Sequence, residues 1–313
     1  MGDIGVVVAM SDKNKSRAER LISFFVTDER QVTVQGRVMS SIHFVGGEKG
    51  GVGKSVFSRL LSQYFLDHQR LYAGFDADQS HGTLTRFYPE FTKAIRLDDF
   101  EGADQIMETA LGEEINVVVD LPAQSERFLT RWLEDNDVAG LCADTGVSVH
   151  FWYLVDDGRD SASLAQAFLS RFGQQLNVTL VRNHGRGEDF SLLDEQLEGA
   201  GLLGANTLDL PALHANTMRK IDRTNLNFWA ASNLEQGLTE GLTLMERQRV
   251  RVWKRKAEAQ LEGQLEGQLE GRLAQAAPQV EPLIQAEPVA QAEPSVQTQQ
   301  IAPPNTSQTP ELN

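Results

Sequence analysis

A single cysteine, Cys142, stands in 313 residues. It excludes an internal disulfide framework and any multi-cysteine zinc or iron–sulfur site built within one chain, and it fits a reducing compartment. The six histidines show no H-E-x-x-H spacing, and no Gly-x-Ser-x-Gly elbow is present, so neither zinc-protease nor serine-hydrolase chemistry has support. No apolar run approaches the roughly 20 residues needed to span a bilayer. The N-terminus also lacks a basic stretch followed by a continuous apolar segment, as a secretory signal requires. A cytoplasmic location is the expectation. Positive charge is scarce as well: the formal net charge is −15, and residues 39–244 carry 16 Lys and Arg against 30 Asp and Glu. Such a body repels nucleic acid and anionic lipid except where a local basic patch compensates.

Against these absences, one glycine-rich stretch stands out: Val45-Gly46-Gly47-Glu48-Lys49-Gly50-Gly51-Val52-Gly53-Lys54-Ser55. Its end matches the phosphate-loop pattern G-x-x-x-x-G-K-[ST], with Glu48 in place of the first glycine. Ser41 to Val45 reads as a short buried strand and Val56 to Phe65 as a helix, which is the context a phosphate loop needs. Glycines let backbone N–H groups close around a polyphosphate, and the helix adds its positive N-terminal end. Lys54 is expected to reach the β and γ phosphates, and the Ser55 hydroxyl to bind Mg²⁺.

From Met39 onward strand and helix patterns alternate, predicting an α/β fold with a mostly parallel sheet flanked by helices. Arg70 to Phe75 reads as a second strand ending at Asp76-Ala77-Asp78. A short strand is expected near Ala94 to Leu97. Ile115 to Val119 is a β-branched run ending at Asp120-Leu121-Pro122, as a central buried strand would be. Val149 to Val155, Asn177 to Val181 and Thr207 to Pro211 complete the strands, with a helix over Ser161 to Phe172 and helical structure through Ala231. Ligands of open α/β sheets lie beyond the carboxyl ends of the strands, where the loop, Asp76, Asp78 and Asp120 all fall. Asp120, delivered by a buried strand, is the natural carboxylate for Mg²⁺, an ion that takes oxygen ligands and keeps waters.

With a second lysine inside the loop, Lys49-Gly-Gly-Val-Gly-Lys54-Ser55 resembles the deviant phosphate loop of the ParA/MinD ATPases. The resemblance covers about residues 41–235. It implies an ATP-dependent homodimer in which Lys49 crosses to the partner's nucleotide. It also implies that Gly47 through Val56 cradle ATP, and that Lys49, Lys54 and Asp78 are catalytic, Asp78 orienting the attacking water. Ser55, Asp76 and Asp120 support Mg²⁺ on that reading. Asn183, at a strand end, matches the family's adenine-binding asparagine, and Pro211 its base-side loop.

Composition changes near residue 245. Arg247, Arg249, Arg251, Lys254, Arg255 and Lys256 form a basic cluster, either a surface for DNA or membrane or a solvated helix end. Leu261, Leu265, Leu269 and Leu273 then recur every four residues, a stripe suited to pairing with another helix. Gly263, Gly267 and Gly271 each weaken that helix by about 1 kcal/mol. Residues 276–313, rich in Pro, Gln, Ala and Glu, are expected to be disordered. Residues 1–38 read as an N-terminal extension, with Met39 an alternative or true start.

The leading expectation is a slow ATPase switch, stimulated by an activating protein partner, that positions or partitions a cargo. An ATP-dependent ligase or amidotransferase is the alternative within the fold, and an ATPase serving a plasmid transfer or mobilisation apparatus is another. An electron-transfer ATPase of the nitrogenase-reductase type lacks support, because paired cysteines are missing.

Overall fold

The computed structural model describes residues 40–97, 100–112, 114–234 and 241–276, without the side chains of residues 100, 129 and 267–276. The N-terminal extension with Met39, the side chains of Leu269 and Leu273, and the tail from 277 lie outside that description. The described residues through Gln268 make one compact unit; of the unit that begins at Leu269, the described part is the end of a helix.

Among the described residues, seven parallel strands form one sheet. They are β1 (Ser41–Gly46), β2 (Tyr72–Asp76), β3 (Thr92–Ala94), β4 (Asn116–Asp120), β5 (Ser148–Val155), β6 (Asn177–Asn183) and β7 (Asn206–Leu210). Their order is β3-β2-β4-β1-β5-β6-β7. The chain thus builds to one side of β1 and then to the other, which places a topological switch point at the carboxyl end of β1. The expected short strand is present, but at Thr92–Ala94 rather than Ala94–Leu97, because its pairing partner β2 ends at Asp76 opposite Ala94.

Both faces of the sheet are covered, and the two-residue period of the strands sorts side chains between them. Ile42 and Phe44 of β1, Val117 and Val119 of β4, and Phe151 and Tyr153 of β5 face one core. Onto it pack α3 (Phe100–Gly112), α4 (Glu126–Asp135), α6 (Arg159–Phe172) and α7 (Ser191–Gly199). Val45, Val118, Trp152 and Leu154 face the other, which is covered by α1 (Lys54–Asp67), α8 (Ala215–Thr224) and α9 (Phe228–Asn233). Helix α1 is buried along most of its length, so the residues that follow the glycine-rich loop are fixed from below. Two short helices, α2 (Thr83–Phe87) and α5 (Val138–Thr145), fill the connections.

The last helix, α10 (Leu244–Ala276), begins where the composition changes. Val250, Trp253, Ala257 and Leu261 are buried in the same core as α1, at the three- and four-residue spacing of one helical face. Leu261, the first residue of the expected leucine stripe, therefore packs on the body of the protein, and Leu265 sits partly buried against it. Trp253 is tied further by its indole N–H, which donates to the Pro211 carbonyl at 2.7 Å. The Lys254 ammonium pairs with Asp67 of α1.

Candidate nucleotide site

Three glycines of the loop after β1, Gly47, Gly51 and Gly53, have a backbone conformation that other residues rarely adopt, and at two of them a Cβ would also collide. Gly47 has φ 143° and a Cβ there would lie 2.9 Å from the Leu154 carbonyl oxygen; Gly53 has φ 102° and its Cβ would collide with Asn183 Nδ2. Between them the chain wraps Lys54 inward. Its ammonium is buried and donates to the carbonyl oxygens of Gly47 and Lys49, both at 3.0 Å. Burial lowers its pKa, and Asp120, Asp78 and Glu48 offset part of that effect. A cation held this way, at the N-terminus of α1, is a ready partner for an anionic oxygen.

Asp120 closes the other side. Register pairs it with Val45 of β1 and with Asp76 of β2, so all three strand ends meet at one level. Its Oδ1 accepts the Ser58 hydroxyl at 2.9 Å. Ser55 lies close enough to help hold its charge, yet Oδ2 is buried without a hydrogen bond of ordinary geometry. Burial, with Asp76 beside it, raises the Asp120 carboxyl to about 7 despite Ser58, Ser55 and Lys54. A buried carboxylate oxygen with no donor, next to a serine hydroxyl, fits a divalent cation. Among the described residues no group of three or more His, Cys, Asp or Glu could hold a metal by itself. Ser55 and Asp120 are the residues of this chain that would hold such a cation, with phosphate and water as its remaining ligands.

Asp76 and Asp78 play unlike parts. Asp76 is buried and both its oxygens are taken by backbone, Oδ1 by the Asp78 N–H at 3.2 Å and Oδ2 by the Thr85 N–H at 2.9 Å. It shapes the turn into α2, and its charge acts on Asp120. Asp78 is half-buried; its Oδ1 accepts the Ser80 N–H at 3.0 Å and its Oδ2 lies 3.1 Å from His81 Nδ1. Its charge acts on Lys54, so it lies within electrostatic reach of the loop.

Lys49 turns back onto its own chain, with Nζ 2.8 Å from Asp156 Oδ2 and 3.0 Å from Oδ1. Asn183 is buried against the loop: Nδ2 donates to the Val52 carbonyl at 2.7 Å and Oδ1 accepts the Gly185 N–H at 3.0 Å. In this conformation it braces the loop and the turn after β6. Pro211 follows directly on β7 and is held through Trp253. Gly50 and Gly51 are exposed at the tip, while Val52 is buried and Ser55 and Val56 begin α1. The Glu48 carboxylate reaches α4, its Oε1 accepting the Glu126 N–H at 3.0 Å. Asp156, Ser58 and Glu126 join the site although nothing in their local sequence marks them: Ser58 lies one turn beyond Lys54 on α1, and Asp156 and Glu126 come from segments distant in sequence.

No protein-family model matches the chain. Over 238 residues it is 27% identical to "Protein TraL" of Escherichia coli, a match covering 71% of this chain and 98% of that one. It is 25% identical over 152 residues to "Protein MobD" of Acidithiobacillus ferrooxidans, covering 48% and 66%. Among solved structures, it is similar to the septum site-determining protein MinD complexed with Mg-ADP from Pyrococcus horikoshii. There the identity is 12%, the TM-score 0.43, and the coverage 68% of this chain and 96% of that one. The two-lysine loop and the aspartates at its neighbouring strand ends give this parallel α/β fold a site that resembles that of the ParA/MinD ATPases.

Proposed function

We propose that the chain binds ATP with Mg²⁺ at Gly47–Ser55, hydrolyses it slowly, and uses the bound triphosphate to form a homodimer through Lys49. The observation that carries the reading is Asp120 Oδ2, buried and without a donor at the switch point of the sheet, beside Ser55 and the enclosed Lys54. Bound Mg²⁺ would neutralise charge on the phosphate oxygens. Lys54 would give up its loop carbonyls for phosphate oxygens, Ser55 and Asp120 would hold the metal and its waters, and Asp78 would orient the attacking water. Calorimetric titration with MgATP tests this directly. Lys54→Ala should weaken binding on the order of tenfold or more, the loss of one charge-assisted hydrogen bond. Wild-type protein that binds no MgATP would refute the reading.

For the setting, the similarity to TraL and MobD, spanning 98% of the former, favours service to a plasmid transfer or mobilisation apparatus, with an activating protein partner that speeds hydrolysis. The exposed Arg249, Arg251, Arg255 and Lys256 on α10 are the surface offered to DNA or an anionic membrane. Arg247 and Lys254, committed to the Leu234 carbonyl and to Asp67, are not part of it.

A further inference from the structure

Glu48 is where the loop departs from the phosphate-loop pattern, and its side chain serves another element. Its acceptor bond to the Glu126 N–H spans 78 residues of sequence. Glu126 opens α4, whose N-cap residue Ser125 makes no side-chain capping bond. The first four N–H groups of a helix have no partner within it, so the phosphate loop supplies an acceptor that the local sequence does not.

The segment Leu121 to Ser125 lies between two fixed points, Asp120 at the end of β4 and this bond at the start of α4. Within it Gln124 has φ 60°, a left-handed conformation that costs a non-glycine residue energy and persists only where its surroundings hold it. The Glu48 carboxylate also acts on both neighbours: its charge favours the charged form of Lys54, and, after burial, it is what holds the Glu126 carboxyl above its ordinary range. One side chain is thus within electrostatic reach of the phosphate cradle and of α4.

We propose that Glu48 is a positioning residue that ties the segment Leu121–Ser125 and the first turn of α4 to the phosphate loop, so that occupancy of the loop is felt at α4. The tie belongs to the nucleotide-free chain; its response to ligand rests on the nucleotide reading above. A polyphosphate places negative charge beside Glu48, and repulsion between like charges loosens the bond.

Hydrogen exchange on the full chain, with and without MgATP, tests both halves. Without nucleotide, Glu48→Ala should exchange about fivefold faster than wild type at amides 126 to 129, the worth of one capping bond. Glu48→Gln, which keeps an oxygen acceptor, should restore protection to within about twofold, a rescue that general loosening of the loop would not give. With MgATP the wild-type first turn should speed up and the Glu48→Ala turn should not change further. Equal nucleotide-free exchange in wild type and Glu48→Ala overturns the tie. A MgATP response that is absent in wild type, or that persists at full size in Glu48→Ala, overturns the coupling. Calorimetry on the same samples reports whether the nucleotide reading fails with it.

Discussion

The Lys49 ammonium and the Asp156 carboxylate, 107 residues apart in sequence, form an ion pair at 2.8 Å within one chain. That hydrogen bond is the main reason the lysine's pKa is raised. Asp156 is itself held in place, accepting the Gly158 N–H at 3.1 Å. A lysine that must cross to a second subunit has first to leave this partner. Because the pair is partly exposed, it stabilises the folded-back position by about 1 kcal/mol at most. Asp156→Asn should therefore strengthen MgATP-dependent dimerisation by a factor of about two to five, read from the concentration dependence of sedimentation. Unchanged or weaker dimerisation would show that the pair does not restrain Lys49.

Asp120 gives a pH dependence whose sign can be worked out. Its carboxyl lies at about 7 in the folded chain against an ordinary 3.8. A group raised in this way contributes stability that is full below the unfolded value and is lost as pH rises through the folded one. Mg²⁺ bound as proposed would require the carboxylate, so its binding should release a proton and strengthen as the group ionises. The gain in melting temperature on adding MgATP should grow between roughly pH 6 and pH 8, and removing Mg²⁺ with a chelator should abolish that growth. Asp120→Asn, which cannot ionise, should flatten the trend in a scanning-fluorimetry series. A wild-type gain independent of pH would contradict the assignment.

Trp253 joins α10 to the body by burial, by its contact with Phe228 at 4.9 Å between ring centroids, and by its bond to Pro211. Trp253→Ala should cost about 3–5 kcal/mol. For a chain of this size that is a fall of roughly 10 °C in melting temperature. Leu261→Ala, on the same face, should cost about 2–5 kcal/mol. A loss below about 1 kcal/mol at both positions would mean that α10 is not part of the folded unit.

The four exposed basic residues of α10 make a separable prediction. Replacing Arg249, Arg251, Arg255 and Lys256 by Ala should leave stability nearly unchanged, since surface substitutions are usually within about 0.5 kcal/mol. It should also remove salt-dependent binding to DNA or anionic vesicles. Gel shift and vesicle sedimentation across a salt series distinguish the two surfaces. Binding that survives the fourfold variant would place the contact elsewhere.

Much of this arrangement was legible because strand runs such as Ile115 to Val119 are short, β-branched and end in acidic residues, so sheet class and strand ends follow from pattern alone. The loop was legible because Gly53-Lys54-Ser55 sits between a strand and a helix. What stayed hidden depends on distance in sequence. No local pattern pairs Lys49 with Asp156 or Glu48 with Glu126, because each bond is made by elements that meet only after the sheet is assembled. The packing of α10 was half visible: the leucines at 261 and 265 stood out as a helical stripe. The stripe that fixes them begins at Val250 and Trp253, apolar residues set among arginines and lysines that drew the reading toward a charged surface. The bonds of the Asn183 carboxamide to Val52 and Gly185 were equally hidden, since they join the end of β6 to the loop after β1 and to the turn that follows β6.

The central claim is that ATP in this loop drives two chains together through Lys49. Sedimentation equilibrium of the Asp78→Ala chain with MgATP tests it most directly, since loss of the water-orienting carboxylate should hold the triphosphate in place. A stable dimer with MgATP, a monomer with MgADP, and a monomer again when Lys49→Ala is added are the predicted results. A mass that does not respond to MgATP, or a MgATP dimer that persists without Lys49, would contradict the account.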